Sequence, residues 1–344
     1  MKREEVHERA EHIRGLLDDL LVLEAMYSSR GTVVLRGTPR IPAPDFEDTA
    51  RARLIAAGYD AVVEASSGPE PAGGRALVTV RLVKRAVRFP WVNVVLFAAT
   101  VVSTTLLGGP SFAAWFLTIL LCHEFGHFTL ARRRQIDASW PYFIPAPNIL
   151  GTFGAFIQLR SPIRDRVGLF DMAVAGPLAG FVVAIAALFV GLAKSTIVAA
   201  TAEGPRLILG DSLLFRGIAA LVLPGVGENQ DILLHPIAFA GWAGLLVTMF
   251  NLLPLGQLDG GHIAYAILRR KQRWLALVAI AGLAAISIWW PWWLMWVAIG
   301  LFMRPEHPPT LIDEIPVGRT RQVLGWVALA IFVLCFTPVP FRMP

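Results

Sequence analysis

The sequence predicts a mainly α-helical, polytopic membrane protein with six or seven transmembrane helices, a short membrane-associated β element and a small soluble α+β domain at the N-terminus. The first observation is composition: 55% of the 344 residues are hydrophobic and only 16% are charged, with a mean hydropathy of +0.58. A soluble domain carries more charge than this on its surface. The second observation is that several apolar runs are long enough to cross a bilayer, and all of them follow residue 88.

Residues 1–88 are predicted to form the soluble domain. The patterns of apolar and turn residues indicate, in order, a helix at Glu4–Met26, a strand at 32–36, a helix at Asp45–Ala57 that ends at Gly58, and strands at 60–64 and 76–83. No residue in this part of the chain belongs to a recognisable catalytic motif.

Residues 89–344 are predicted to form the transmembrane domain. The candidate spans are Trp91–Leu107, Ser111–Ala131, Asp171–Leu192, Pro236–Leu253, Trp274–Met303 and Val323–Val339. The fifth run is too long for one ordinary span, and Pro291 lies in it between two pairs of tryptophans. It is therefore either one kinked helix or two short helices with the tryptophans at a membrane interface.

Basic residues flank these apolar runs, as at Arg132–Arg134 and Arg269–Lys271. This placement is typical of residues that set membrane topology, so the net charge of +6 does not indicate a nucleic-acid partner. The positive-inside rule then places the N-terminal domain in the cytoplasm, together with the loops 132–170 and 268–273, and places the loop 194–234 outside. We expect an integral protein of a bacterial inner membrane.

The segment from His123 to His127 has the pattern His-Glu-x-x-His. Histidines four residues apart share one face of a helix, so both imidazoles can bind one zinc ion while Glu124 reaches a metal-bound water. The segment lies in an apolar run of transmembrane length, where ionisable side chains are costly and usually functional. The pattern predicts one zinc ion per chain and a hydrolytic metal site.

A catalytic zinc site with two histidines needs a third protein ligand. The segment 251–262 offers Asp259 and, as a competitor, His262. Pro254, Gly256 and the pair Gly260–Gly261 should end the fourth span there and leave irregular backbone, which is tolerated at membrane depth where it lines a cavity. We favour Asp259, and we interpret His307, in a loop, as solvated.

With these motifs in the same order, the chain resembles the site-2 proteases, a family of intramembrane zinc metalloproteases, and most of all the EGY-like branch with its bacterial relatives. Further similarity lies in the segments Gly151–Ile157 and Ala175–Gly180. The resemblance implies that His123, His127 and Asp259 are the zinc ligands and Glu124 the general base. It also implies that Asn251 helps to hold the substrate backbone, and that the substrates are membrane-anchored proteins cut within or next to their transmembrane segments.

Two further segments have predicted roles. Gly151–Arg160 alternates small or apolar residues with glycine, so it can form a short strand that binds an extended substrate through Gly154 and Phe156. A packed re-entrant loop without a substrate role fits the segment equally well. The spacing Gly176-x-x-x-Gly180 predicts close packing of the third span against the zinc helix.

Other classes of protein are possible. A catalytically inactive membrane scaffold would typically have lost Glu124 or a ligand, and a metal-binding transporter commonly has repeated halves with matching broken helices. The sequence has one such break, at 254–261. A zinc protease that cuts soluble peptides at the membrane surface is a third alternative.

Overall fold

The structure is a computed structural model, and it describes residues 3–29, 32–65, 76–81, 89–134, 136–160, 163–199, 208–227, 229–310 and 312–342. The helices are α1 Arg3–Leu17, α2 Ala43–Ala56, α3 Trp91–Arg133, α4 Arg166–Leu192, α5 Leu213–Val222, α6 Pro236–Asn251, α7 Asp259–Leu268, α8 Gln272–Ile286, α9 Trp293–Phe302 and α10 Arg319–Cys335. The strands are β1 Leu21–Ser29, β2 Thr32–Pro39, β3 Asp60–Ala65, β4 Ala76–Arg81, β5 Tyr142–Pro145, β6 Thr152–Phe156, β7 Thr196–Ala199, β8 Ile208–Leu209, β9 Gln230–Leu233 and β10 Phe341–Arg342.

The chain divides into two compact units, one built mainly from the residues up to 89 and the other from residue 90 onward. The predicted domain boundary at 88/89 adjoins residues 82–88, which lie outside the described part of the chain, as do the last two residues of the strand predicted at 76–83.

The N-terminal unit is an antiparallel sheet in the order β1-β2-β4-β3, with α1 and α2 packed on it. Its core joins Ile13 and Leu17 of α1 and Phe46 of α2 to valines of the sheet. The helix predicted at Glu4–Met26 is wrong in its second half, because α1 ends at Leu17 and β1 follows. The backbone of that stretch pairs with β2, and this tertiary pairing overrides a helical pattern. Gly58 has a φ of 83°, as the predicted helix end requires.

The larger unit is mostly helical. Of the helices in the described residues, α3 and α4 are long and apolar enough to cross a membrane, and α5, α6 and α9 are shorter apolar helices. The 43 residues of α3 are interrupted at Gly109, whose φ of 81° and ψ of 167° are not helical, and Pro110 follows. The helix therefore consists of two segments, which correspond to the first two predicted runs.

The tryptophan-rich run forms two short helices, α8 and α9, as one of the two predicted alternatives requires. Only part of its aromatic cluster is exposed. Trp289 and Trp292 are exposed, whereas Trp290 and Trp293 are buried. The buried indoles donate hydrogen bonds to the carbonyls of Phe341 and Pro338. A buried indole N–H requires such an acceptor. These two rings therefore bind the segment 338–341 and do not lie at a membrane interface.

The strand predicted within Gly151–Arg160 is confirmed as β6, which pairs antiparallel with β5 in a two-stranded sheet. The first segment of α3 holds this hairpin. The Asn93 side chain donates to the carbonyls of Trp140 and Pro141, and the Ser103 hydroxyl donates to the carbonyl of Gly151 at 2.6 Å.

Candidate metal centre

The second segment of α3 carries the three side chains of the His-Glu-x-x-His motif. His123, Glu124 and His127 are 4%, 4% and 6% exposed. The histidines lie one helical turn apart and their rings are 4.8 Å apart. Burial of three ionisable groups in an apolar helix is unfavourable unless something binds or pairs them.

Asp259 meets both histidines. Its Oδ2 lies 3.3 Å from Nε2 of His123 and 3.2 Å from Nε2 of His127, and the two Nε2 atoms are 3.1 Å apart. Two nitrogens and one carboxylate oxygen thus surround a single point, with all ligand atoms within 4.8 Å of one another.

These distances fit a zinc ion. Zn–N and Zn–O bonds of about 2.0–2.1 Å in a tetrahedron place neighbouring ligand atoms about 3.3 Å apart. The three separations of 3.1–3.3 Å match that spacing, and the donor set is one that catalytic zinc sites use. The arrangement can therefore hold a zinc ion with one position left for water or substrate.

A backbone contact fixes the orientation of His127. Its Nδ1 lies 2.8 Å from the carbonyl oxygen of Met172 in α4. A carbonyl only accepts, so Nδ1 carries the proton and Nε2 keeps its lone pair toward Asp259. Such a second contact is the usual means by which proteins orient a metal-binding histidine. No sequence pattern predicts this contact.

Glycines let α4 approach the motif closely, so the predicted packing of the third span against the zinc helix is confirmed. A β-carbon on Gly176 would overlap the His127 ring, and one on Gly180 would lie 3.1 Å from the β-carbon of His123. On the facing helix, a β-carbon on Gly126 would lie 2.6 Å from the carbonyl oxygen of Ala175. Gly176 thus makes room for the His127 ring as well as for the helix.

The helix break predicted at 254–261 is confirmed and lies at 252–258, since α6 ends at Asn251 and α7 begins at Asp259. The intervening loop folds back on itself. A β-carbon on Gly260 would meet the carbonyls of Leu252 and Leu253, and one on Gly261 would meet that of Gly256. The two glycines therefore allow the tight turn that places Asp259 at the first turn of α7, beside the histidines.

His262, the competing ligand, is not in this cluster. Its Nδ1 lies 2.6 Å from Nε2 of His307. The interpretation of His307 as solvated is wrong, because this side chain is buried, pairs with His262 and stacks on Tyr265. The signal was weak, since a histidine followed by two prolines in a loop gives no periodicity from which burial can be deduced.

The remaining predicted residues lie in two places. Asn251 is at the metal cluster, with its Nδ2 3.3 Å from Nε2 of His123. Gly154 and Phe156 lie on β6, where Gly154 has a φ of 99° and open space beside it, and Phe156 is 47% exposed. Phe156 stacks on Tyr142 of β5.

An ion cluster that the sequence did not predict joins three helix ends. Asp171, directly before Met172 in α4, accepts two hydrogen bonds from Arg321 of α10, at 2.6 and 2.9 Å, and contacts Arg134 at the end of α3. The cluster fixes the start of α4, from which Met172 contacts His127.

The sequence profile of peptidase family M50 matches residues 111–288, which include the motif on α3 and the loop that carries Asp259. The chain belongs to peptidase family M50. The predicted resemblance to the site-2 proteases, which are M50 peptidases, is therefore confirmed.

Several plant proteins are similar to this M50 chain. It is 35% identical over 232 residues to the probable chloroplastic zinc metalloprotease EGY1 of Arabidopsis thaliana, a match that covers 65% of this chain and 42% of that protein. It is 33% identical over 228 residues to EGY2 of the same plant, with 65% and 40% covered, and 32% identical over 231 residues to EGY1 of Oryza sativa, with 65% and 39% covered. The chain thus spans about two fifths of the length of the curated relatives it matches.

The prediction of a bacterial inner membrane is wrong. The zinc metalloproteases that this M50 chain resembles are chloroplastic proteins of plants. Composition and loop charge indicate that a chain enters a bilayer, but they carry no information on which membrane it enters. The cytoplasmic placement of the N-terminal domain depended on that membrane and is withdrawn with it.

Proposed function

We propose that this M50 chain is a zinc metalloprotease that hydrolyses peptide bonds within or next to the transmembrane segments of membrane-anchored proteins. The observation that carries the proposal is the convergence of His123, His127 and Asp259 on one point, next to Glu124 and inside an apolar helix. The names of the similar plant metalloproteases agree with it.

In this proposal, His123 and His127 bind zinc through Nε2 and Asp259 binds it through Oδ2, with one ion per chain. Bound zinc would lower the pKa of a water molecule and polarise the peptide carbonyl. Met172 and Gly176 keep the His127 ring in place, so its lone pair is oriented before substrate arrives.

Glu124 is the proposed general base. It adjoins His123 in the sequence and is buried beside the cluster. As water attacks the peptide carbonyl, the Glu124 carboxylate takes its proton, and the same carboxyl then gives that proton to the nitrogen of the leaving amine. Asn251 holds the substrate backbone by donating a hydrogen bond from its amide to the carbonyl under attack.

A transmembrane helix must unwind before its peptide bonds can be cut, and an extended segment is held well by a sheet edge. We propose β6 as that edge, with Gly154 allowing close approach of the substrate and Phe156 contacting a substrate side chain. Support comes from the open space at Gly154 and from Trp140, beside β5, whose ring lies 5.2 Å from that of Phe128 on the motif helix.

An apolar groove near the loop of Asp259 supports the proposal that the substrate is embedded in the membrane. It has a volume of about 1140 Å³ and runs between α7, α8 and α10. Its lining includes Gly260, next to Asp259, as well as Ile263, Leu283 and Phe332. An apolar groove that reaches the loop of a metal ligand suits a transmembrane segment better than a soluble peptide.

We further propose that six or seven spans embed this unit in the bilayer and that residues 1–88 form a separate domain. Two segments of α3, together with α4, α6, α8, α9 and α10, supply the helices for such an arrangement. Because α8 and α9 are short, they count as one interrupted span or as two, and this ambiguity sets the range of six to seven.

The experiment is a comparison of the wild type with Glu124→Gln in detergent. Bound zinc is measured by elemental analysis, and cleavage is measured with a test transmembrane substrate and with a soluble peptide of the same sequence around the cut. We expect about one zinc ion per chain in both proteins, and cleavage of the transmembrane substrate by the wild type alone. Well-folded wild type without zinc contradicts the proposal, and zinc without cleavage favours a scaffold. Preference for the soluble peptide would indicate a protease acting at the membrane surface.

A further inference from the structure

Residues 303–318 join α9 to α10, and we call this segment the strap. The structure describes all of its residues except 311. The strap contacts several helix ends. The backbone N–H of Ile312 donates to the carbonyl of Arg164 at 2.7 Å, and Glu306 pairs with Arg273 at the start of α8. On the loop before Asp259, a β-carbon on Gly256 would lie 2.8 Å from the β-carbon of Met303. The strap therefore packs directly against the loop 252–258, which precedes Asp259.

His307 is the strap's contact with α7. Its side chain is buried, at 9% exposed, and its Nε2 lies 2.6 Å from Nδ1 of His262. The Tyr265 ring stacks on it at 4.5 Å, and its backbone N–H donates to Oε1 of the buried Gln272 at 3.4 Å. A loop histidine is thus enclosed by α7 and the start of α8.

The partners fix the direction of the bond between the two imidazoles. Nδ1 of His307 lies 2.6 Å from the carbonyl oxygen of Pro308, which can only accept, so Nδ1 carries the proton. In a neutral ring, Nε2 of His307 is then an acceptor, and Nδ1 of His262 donates to it. The ring of His262 is oriented by this one bond, and its Nε2 keeps a lone pair.

His262 is close to the proposed metal ligands. It follows Asp259 by three residues on the first turns of α7, so the two side chains lie on neighbouring parts of one face. Movement of His262 would move the helical turn that holds the carboxylate.

We propose that His307 is a positioning residue for the metal centre: its imidazole fixes His262, and through it the first turn of α7, so that Asp259 faces His123 and His127. The inference rests on the proposed zinc site and adds a part to it. Removal of the acceptor leaves a buried N–H of His262 without a partner, which is unfavourable enough to shift the ring or the turn.

Two substitutions of His307 separate the hydrogen bond from ring packing. His307→Phe keeps an aromatic ring against Tyr265 but removes both nitrogens. His307→Gln removes the ring, but its amide oxygen can reach the position of Nε2 and accept from His262. Glu306→Gln is the matched control, because it changes the neighbouring strap residue and an exposed ion pair without touching α7.

The measurement is zinc affinity by competition with a chromogenic chelator, together with the absorption bands of the Co²⁺-loaded protein, which report ligand geometry. We expect His307→Phe to bind zinc about tenfold more weakly and to alter the Co²⁺ bands. This is the low end of the loss that follows removal of a direct contact to a metal ligand, because His307 acts on Asp259 through His262. His307→Gln should stay within about threefold of wild type, and Glu306→Gln should be unchanged. Combined with His262→Phe, His307→Phe should cause no further loss, because the two residues act through one bond.

The inference would be overturned if His307→Phe bound zinc as tightly as wild type. It would also be overturned if the losses of zinc affinity in the two single variants multiplied in the double variant. If His307→Phe does not fold, His307→Gln and His262→Phe test the inference instead. It requires His307→Gln to bind zinc nearly as tightly as wild type and His262→Phe to bind it about tenfold more weakly. A wild type that binds no zinc overturns the metal site itself, which is a different failure from a zinc-binding wild type that ignores His307.

Discussion

Gly176 of α4 lies so close to the imidazole of His127 that a β-carbon at this position would overlap the ring. Nδ1 of the same ring donates to the carbonyl of Met172, which lies four residues earlier in α4. One turn of α4 therefore both orients His127 and leaves room for it.

Gly176→Ala should displace His127 from the cluster. Overpacking of a buried contact costs about 1–3 kcal/mol, so we expect zinc affinity to fall roughly 5- to 150-fold, with cleavage falling in parallel. Chelator competition measures the affinity. Gly217→Ala in α5 is the control, because a β-carbon there has open space around it. Unchanged zinc binding in Gly176→Ala would show that the ring can move without consequence.

Asp259→Ala should abolish stoichiometric zinc binding, whereas His262→Ala should keep about one zinc ion per chain with weaker affinity. The reason is that only Asp259 contacts both motif histidines, while His262 faces His307. Elemental analysis of both variants at equal, saturating zinc distinguishes them. The reverse result would make His262 the third ligand.

Asn251→Leu should retain zinc and lose activity. In the proposed mechanism the Asn251 amide, which lies 3.3 Å from Nε2 of His123, donates to the carbonyl under attack. Loss of one such donor lowers kcat about 10²- to 10³-fold in other hydrolases. Steady-state cleavage kinetics and zinc content are measured together. Thr248→Val, one turn earlier in α6, is the control, because among the described residues the Thr248 hydroxyl bonds within its own helix, to the carbonyl of Gly244. A loss of zinc in Asn251→Leu would assign this residue to the metal site instead of the substrate.

Phe156→Ala should raise KM about tenfold and leave kcat and zinc content unchanged, if β6 holds the substrate. The side chain is half exposed at the strand and has no contact with the metal cluster among the described residues. Phe302→Ala provides the comparison, because it removes an exposed phenylalanine from α9. An equal effect of both variants, or none, would count against the proposed edge.

Asp313 of the strap should make the free energy of unfolding depend on pH, with stability lost as the pH falls. Burial acts to raise the pKa of its carboxyl, but hydrogen bonds from Tyr265 and Arg269, and then from Thr310, outweigh it and hold the pKa below its ordinary value. A group whose pKa is depressed by folding stabilises the protein above its unfolded pKa, near 3.9, and this contribution is lost as pH falls through the folded value.

Metal-free wild type should therefore be more stable than Asp313→Asn at pH 7, by on the order of 1 kcal/mol, and the difference should shrink below about pH 4. Thermal unfolding in detergent from pH 7 to pH 3, with a chelator present, measures it. The control is Glu306→Gln, whose exposed pair with Arg273 contributes little. A difference between wild type and Asp313→Asn that stays constant with pH would show that the carboxylate is not stabilised in the folded state.

The residues that we propose as metal ligands could be selected from the sequence because each belongs to a local pattern. His123 and His127 share a helix face by spacing alone, and Asp259 lies among helix breakers that leave a carboxylate near the end of a span. The contacts that orient these side chains could not be found in this way. Met172 is 45 residues from His127, and His307 is 45 residues from His262, and no periodicity links such pairs.

The sequence by itself determined the apolar character of the larger unit, the break in α3 next to Pro110 and the choice of side chains that we propose as metal ligands, because these depend on composition, spacing and backbone preference within one segment. The tertiary structure decided that residues 21–29 form a strand, that two of the four tryptophans flanking Pro291 are buried, and that His262 turns to His307 while Asp259 turns to the motif. Each of these outcomes is a competition between two locally acceptable states, and packing against residues distant in the chain selects one of them.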